Sequence, residues 1–186
     1  KKWSDKLILV QNELLPKDYS YLNSPTIISI WFEKKKGQDS KEIISSPVYG
    51  PKSAVIQQAL ETLGLNSRII TSHKNMTFEL VVKNVYILTT NIAGLKVGGN
   101  VGNLWKNHND LVINVSHDII SIQQALLNKS LDREKILLSV LNAFNGDPEH
   151  KCMGRSAPDR LKRAIADANE LNVDVPTLKE ISREYL

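Results

Sequence analysis

Two kinds of hydrophobic spacing divide the chain. Up to about residue 75 the apolar positions come in short runs separated by polar turns, as strands require. LILV (Leu7 to Val10) is a continuous apolar run that stops at Gln11-Asn12, and it predicts a buried strand of a parallel sheet. TIISIWF (Thr26 to Phe32) is rich in β-branched and aromatic residues. The polar EKKKGQDSK then leads into EIISS (Glu42 to Ser46), so the two runs predict an antiparallel hairpin. Pro47, Tyr49, Gly50 and Pro51 read as punctuation. Lys52 to Leu63 takes helical spacing through Val55, Ile56, Ala59, Leu60 and Leu63, stops at Gly64, and is followed by the short strand RIIT.

From Met76 the period changes. FELVVKNVYILTTNIAGL is apolar on nearly every face, which predicts a buried helix over Met76 to Leu95. Asn103 to Leu127 is a second long helix, broken at Asn128. Asp132 suits the N-cap of REKILLSVLNAF, which stops at Asn145-Gly146. Ser156-x-x-Asp159 resembles a capping arrangement for Pro158 to Leu171, and Thr177-x-x-Glu180 after Pro176 reads as a capping box for the last helix. The expected fold is mainly α with a small strand-rich N-terminal part. No internal repeat or low-complexity tract interrupts it. The chain begins without methionine just before a strand of buried parallel type. Such a strand needs neighbours from βα units, so the expectation is the back end of a longer protein.

Composition narrows the class. Lys plus Arg number 24 and Asp plus Glu 20 in 186 residues, a net charge of +4, with 41% hydrophobic and 24% charged residues. These are ordinary globular values. Cys152 is the one cysteine, which excludes an internal disulfide framework or a multi-cysteine metal cage. No run approaches the ~18 apolar residues of a membrane span, so the expectation is a cytoplasmic protein with no membrane partner. Lys34 to Lys36 precede Gly37 and read as a hairpin tip. Arg155, Arg160, Lys162 and Arg163 form a basic cluster, but Asp159 and Asp167 interrupt it, which weakens a nucleic-acid partner.

Among candidate chemical groups, Lys83 and Asn91 stand eight residues apart, roughly 12 Å along one helix face. A lysine among Leu80, Val81, Val82, Val85 and Ile87 loses hydration, which lowers its pKa and suits it to donate a proton. The alternative is a lysine that reaches out to Glu79 one turn away. Asn12 ends the first strand, where ligands of parallel sheets lie, although asparagine is also a routine turn residue. GGNVG (Gly98 to Gly102) follows a helix and reads as an interhelical turn rather than a phosphate loop. His73, His108, His117 and His150 lack ligand spacing, so no metal site is expected. Only His150 lies near Cys152, a weak basis for a catalytic thiol.

The order of parts resembles the ketopantoate reductase (2-dehydropantoate 2-reductase) family. The resemblance rests on a strand ending in Asn, a hairpin, a helix closing at Gly, the Lys83-x7-Asn91 helix with Ala-Gly-Leu after it, and the downstream helices with NVDVP. It implies the tail of a dinucleotide-binding domain in residues 1–24, a strand-rich connecting region in 25–75, and a helical C-terminal domain in 76–186. That last domain is the 6-phosphogluconate-dehydrogenase C-terminal-like bundle. It further implies NADP as cofactor, a 2-oxo acid as substrate, and leaves a homodimer open. Lys83 then matches the general-acid lysine, Asn91 a substrate-facing asparagine, and Asn12 an asparagine near the nicotinamide. The family's substrate-binding glutamate falls near Ser156, and Asn145 is the nearest candidate for a further polar contact. Ile87 replaces an intermediate asparagine, Asn84 lies on another face, and the glycine-rich loop is absent from this chain. These departures put the usual substrate in doubt. The rival is a non-enzymatic helical dimerisation or ligand-binding domain derived from that family.

Overall fold

Runs of two to four extended residues can be stable only when paired, and the strand-rich part pairs them all. The computed structural model describes residues 3–185; residues 1–2 and 186, the outer ends of the expected segments, lie outside the described residues. In order come β1 (Ile8–Leu9), α1 (Pro16–Tyr19), β2 (Thr26–Ile28), β3 (Phe32–Glu33), β4 (Lys41–Glu42), β5 (Ser46–Tyr49), α2 (Ser53–Glu61) and β6 (Ser67–Ile69). Five longer elements follow: α3 (His73–Val97), α4 (Val101–Leu127), α5 (Arg133–Gly146), α6 (Ala157–Glu170) and α7 (Pro176–Tyr185). The mainly helical chain with a small N-terminal strand-rich part is as expected. The chain divides between Asn84 and Val85 into two compact units. The division falls inside α3, so His73–Asn84 is described with the first unit and Val85–Val97 with the second.

In the first unit a sheet runs in the order β1-β2-β5-β6, with β2 and β5 antiparallel and both outer pairs parallel. The expected hairpin forms but breaks midway. Ile27 and Ile28 pair with Tyr49 and Val48 in the main sheet, whereas Phe32 and Glu33 pair with Glu42 and Lys41 in a separate ladder. At the break the Trp31 N–H donates to the Ser46 hydroxyl at 2.9 Å, and the Trp31 carbonyl accepts from the Ile43 N–H at 2.8 Å. The tip turns at Gly37, which takes φ +76°.

Two expectations need correction here. β1 is parallel as predicted, but Leu7, Ile8 and Val10 are 41–58% exposed, because β1 is an edge strand with β2 as its neighbour. Pro47 does not end a strand: it lies within β5, where its carbonyl accepts from Ser29 at 3.0 Å. The lost donor is tolerated because the Ser46 N–H reaches Asn66 and the Val48 carbonyl receives Ile70 on the other side. Leu14, Tyr19, Ile27, Met76 and Leu80 make one apolar cluster, and Ile28, Val48, Leu60 and Leu65 make another. Helix α2 contributes Leu60; Val55 and Leu63 are exposed despite their spacing.

Helix α3 matches its pattern. Every residue from Val81 to Thr90 is buried, which follows from apolar side chains on all faces. In the second unit, α4 packs on α5, α6 and α7. Asn100 caps α4 through the Asn103 N–H at 2.8 Å, Asn128 ends it in the left-handed region, and Asp132 caps α5 through Lys135 at 3.0 Å. The last two helices start differently from expectation. Ser156 occupies the N-cap of α6 but makes no side-chain capping bond. Thr177 lies inside α7, and the buried Asp118 of α4 accepts the Leu178 N–H at 3.0 Å in place of a local box. Glu180 instead pairs with Lys96 at 2.8 Å. Among the described residues no helix is long and apolar enough to cross a membrane.

Candidate active site

The apolar run that buries α3 also buries Lys83, which is 9% exposed. Its Nζ lies 4.0 Å from the centroid of the Trp31 ring, itself fully buried. Burial disfavours the charged form and lowers the Lys83 pKa from its ordinary 10.5 to about 7. The alternative partner is engaged elsewhere: Glu79 pairs with Arg68 of β6 at 2.6 Å. A lysine near neutrality, held on an aromatic face, can give a proton to a developing alkoxide and take one back from water.

Asn91, eight positions later on α3, belongs to a polar group in the second unit. Its Oδ1 accepts from the Gly154 N–H and from Arg160 Nη1, both at 3.1 Å, and its Nδ2 donates to the Ile87 carbonyl at 2.8 Å. The same Arg160 nitrogen donates to the Ser156 hydroxyl at 2.6 Å. Ser156 therefore meets a guanidinium rather than its own helix's amides. Close approach makes this possible: a Cβ on Gly94 would lie 2.9 Å from that of Cys152, so only glycine lets the segment before α6 lie against α3. The structure thus brings Asn91 and Ser156 together through Arg160. Asn145 is exposed at the end of α5 and shares none of these bonds, and Asn12 is exposed in the turn after β1. Sequence reading missed Trp31, which looked like an ordinary strand aromatic, and saw Arg160 only as part of a basic cluster.

Other candidates carry less chemistry. Gly98 and Gly99 turn the chain at φ +64° and +79° into α4. The first amides of that helix are committed: Val101 to the His150 carbonyl, Gly102 to Pro148, Asn103 to the Asn100 side chain, and Leu104 to the Asn100 carbonyl. This glycine-rich turn does not fit a dinucleotide phosphate, which needs those donors. Cys152 is fully buried, and burial pushes its thiol up to about 11, away from nucleophilic use. Among the described residues no group of three or more His, Cys, Asp or Glu side chains could hold a metal ion.

No protein-family model matches the chain, and no curated protein is significantly similar to it in sequence. Solved structures do match: the fold is that found in ketopantoate reductases and in a D-mandelate dehydrogenase. The 2-dehydropantoate 2-reductase from Porphyromonas gingivalis W83 aligns with TM-score 0.62 over 95% of this chain at 15% identity. A dimeric ketopantoate reductase from Staphylococcus aureus gives 0.62 over 98% at 16%. D-mandelate dehydrogenase, solved with NADH and anilino(oxo)acetate, gives 0.61 over 95% at 14%. The chain spans 62% of the Porphyromonas gingivalis protein, 68% of the Staphylococcus aureus protein and 64% of the dehydrogenase. At such identities the likeness is one of fold.

Proposed function

We propose that this chain is the C-terminal substrate and catalytic portion of an NADP-dependent reductase acting on a 2-oxo acid, with Lys83 as the proton donor. The observation that carries the reading is Lys83 itself: buried, set on the Trp31 ring, and brought to about 7 by desolvation. The fold shared with ketopantoate reductases, and with a dehydrogenase solved with NADH, supports a nicotinamide as partner. When bound, such a cofactor would supply hydride for the carbonyl carbon. Lys83 delivers a proton to the carbonyl oxygen as it becomes an alcohol, then regains one from water. The reaction needs the ammonium, so turnover declines as pH rises through the Lys83 pKa.

Asn91, with one amide hydrogen uncommitted, Ser156 and Asn145 are assigned to the substrate, and Asn12 to the cofactor side. The start of α4 would not hold the phosphates, since the amides of Val101, Gly102, Asn103 and Leu104 are already committed. A homodimer, the state named for the Staphylococcus aureus enzyme, and a cytoplasmic setting that keeps Cys152 reduced complete the proposal. The rival role, a non-enzymatic ligand-binding or dimerisation domain, is favoured by one fact: three of the four hydrogen-bonding positions of the Asn91 amide are used within the chain.

The test is steady-state NADPH oxidation by the full-length protein that carries this chain, with a panel of 2-oxo acids. Lys83→Ala is expected to lower turnover by ~10²-fold or more, the scale of a positioned acid, which corresponds to roughly 3 kcal/mol in the barrier. Unchanged turnover on a substrate that the wild type reduces would overturn the assignment. A wild type inactive on every 2-oxo acid would favour the rival.

A further inference from the structure

We propose that Trp31 is a positioning residue for Lys83: its buried indole face fixes where the ε-amino group sits and favours the protonated form. The functional meaning of this contact rests on the reading of Lys83 as proton donor; the contact itself does not. A lysine stem has four rotatable carbons, and a buried ammonium without a fixed attractor would sample several positions. The ring supplies the attractor. Its face is the negative pole of the aromatic quadrupole, and the Nζ stands 4.0 Å from the centroid, well inside the ~6 Å at which cations are held.

Trp31 is suited to this because it is fully buried and its backbone is anchored on both sides at the point where the hairpin breaks, to the Ser46 hydroxyl at 2.9 Å and the Ile43 N–H at 2.8 Å. Ser46 is fully buried as well, and its own N–H bonds the Asn66 carbonyl at 3.1 Å, which extends the anchor to the segment before β6. The break in the hairpin therefore has a purpose: it turns one strand residue out of the ladder and gives it a fixed address.

Glu79, one turn before Lys83, is held by Arg68 from β6 at 2.6 Å. Tyr19 of α1, Tyr49 of β5 and His73 gather at the start of α3, ten residues from Lys83 and roughly 15 Å along the axis. Two influences thus oppose each other at Lys83. Desolvation lowers its affinity for a proton, and the aromatic face raises it.

The test weakens the ring's quadrupole without changing its shape. In a Trp3→Phe, Trp105→Phe background, Trp31 is replaced biosynthetically by tryptophan with increasing ring fluorination. The Lys83 pKa is followed by the pH titration of its ¹³Cε resonance, assigned by its loss in Lys83→Met. The expected result is a stepwise fall reaching about one pH unit with the most fluorinated ring. Trp31→Phe should fall by less, because it keeps an aromatic face. In the full-length protein, the alkaline limb of turnover should move to lower pH by the same amount. An Lys83 pKa that stays constant across the fluorinated series would overturn the proposal. A pKa that follows fluorination while Lys83→Ala retains full turnover would support the contact and refute the proton-donor reading, so the two fail separately.

Discussion

Lys83 and Asn91 stand on one helix, in one apolar run, yet the two units treat them in opposite ways. In the first unit Lys83 lies on the Trp31 ring, and its pKa is about 7. In the second, Asn91 is bound by Gly154, Arg160 and Ile87 through three hydrogen bonds of 2.8–3.1 Å. An aromatic face tolerates a cation without fixing its protonation state, so the group stays chemically adjustable. An amide with three of its four hydrogen-bonding positions used holds elements together and keeps one hydrogen for a ligand. The contrast separates a residue kept reactive at a cost in stability from one that supplies stability.

The sharpest break of that comparison is Lys83→Met. A buried ammonium opposes folding, so its replacement by an isosteric apolar chain should stabilise the protein by about 3 kcal/mol below pH 7. The sign with pH follows from the depressed pKa. Between about 7 and 10.5 the unfolded chain carries a proton on Lys83 that the folded chain lacks, so raising pH favours folding of the wild type. The gain from Lys83→Met should therefore shrink above pH 7, by up to about 1.4 kcal/mol per unit. Urea denaturation between pH 6 and pH 9 measures it below the range of Cys152 and Tyr19. Those groups are raised to about 11 and about 12, and they act in the opposite sense at higher pH. A gain independent of pH would mean that Lys83 titrates normally and that the comparison is false.

Asn91→Leu should act the other way. It removes the acceptor of the Gly154 N–H and of one Arg160 N–H, and the loss should be about 2 kcal/mol, as for a hydrogen bond to a charged group plus a neutral one. The ¹³Cε titration of Lys83 should be unaffected, because the two residues belong to different units. A stability change below about 0.5 kcal/mol, the scale of a neutral surface substitution, would show that the hydrogen bonds of Asn91 are incidental to stability and would leave substrate contact as its one role.

Much of this arrangement is legible in the sequence, for physical reasons that can be named. Ten consecutive buried positions in α3 follow from a segment with no polar face. The caps at Asp132 and Asn128 follow from local chemistry that needs nothing beyond three or four residues. The misses share the opposite property. Asp118 reaches the start of α7 from sixty residues away, Arg160 captures Ser156 from a cap position, and Pro47 sits inside a strand because its neighbours carry the ladder. Trp31 was invisible as a site residue because a strand aromatic reads as core. What distinguishes it is a break in the hairpin that pattern alone does not locate.

The smallest expected effect belongs to Glu79, and it sharpens the comparison most cheaply. Glu79 and Lys83 have the helical spacing of an ion pair, and that pairing is the bland explanation of a lysine in this helix. In the structure Glu79 is bound to Arg68, whose side chain is 44% exposed. A half-exposed pair of this kind contributes under about 1 kcal/mol. Glu79→Gln should therefore lower stability by no more than that, and Arg68→Leu should match it, with the double variant no worse than either. Neither should displace the Lys83 resonance titration as fluorination of Trp31 does. If Glu79→Gln lowered the Lys83 pKa by a full unit, the carboxylate would be the group that keeps the ammonium charged. The aromatic ring would then be a bystander, and Lys83 would differ from Asn91 only in the kind of partner it holds.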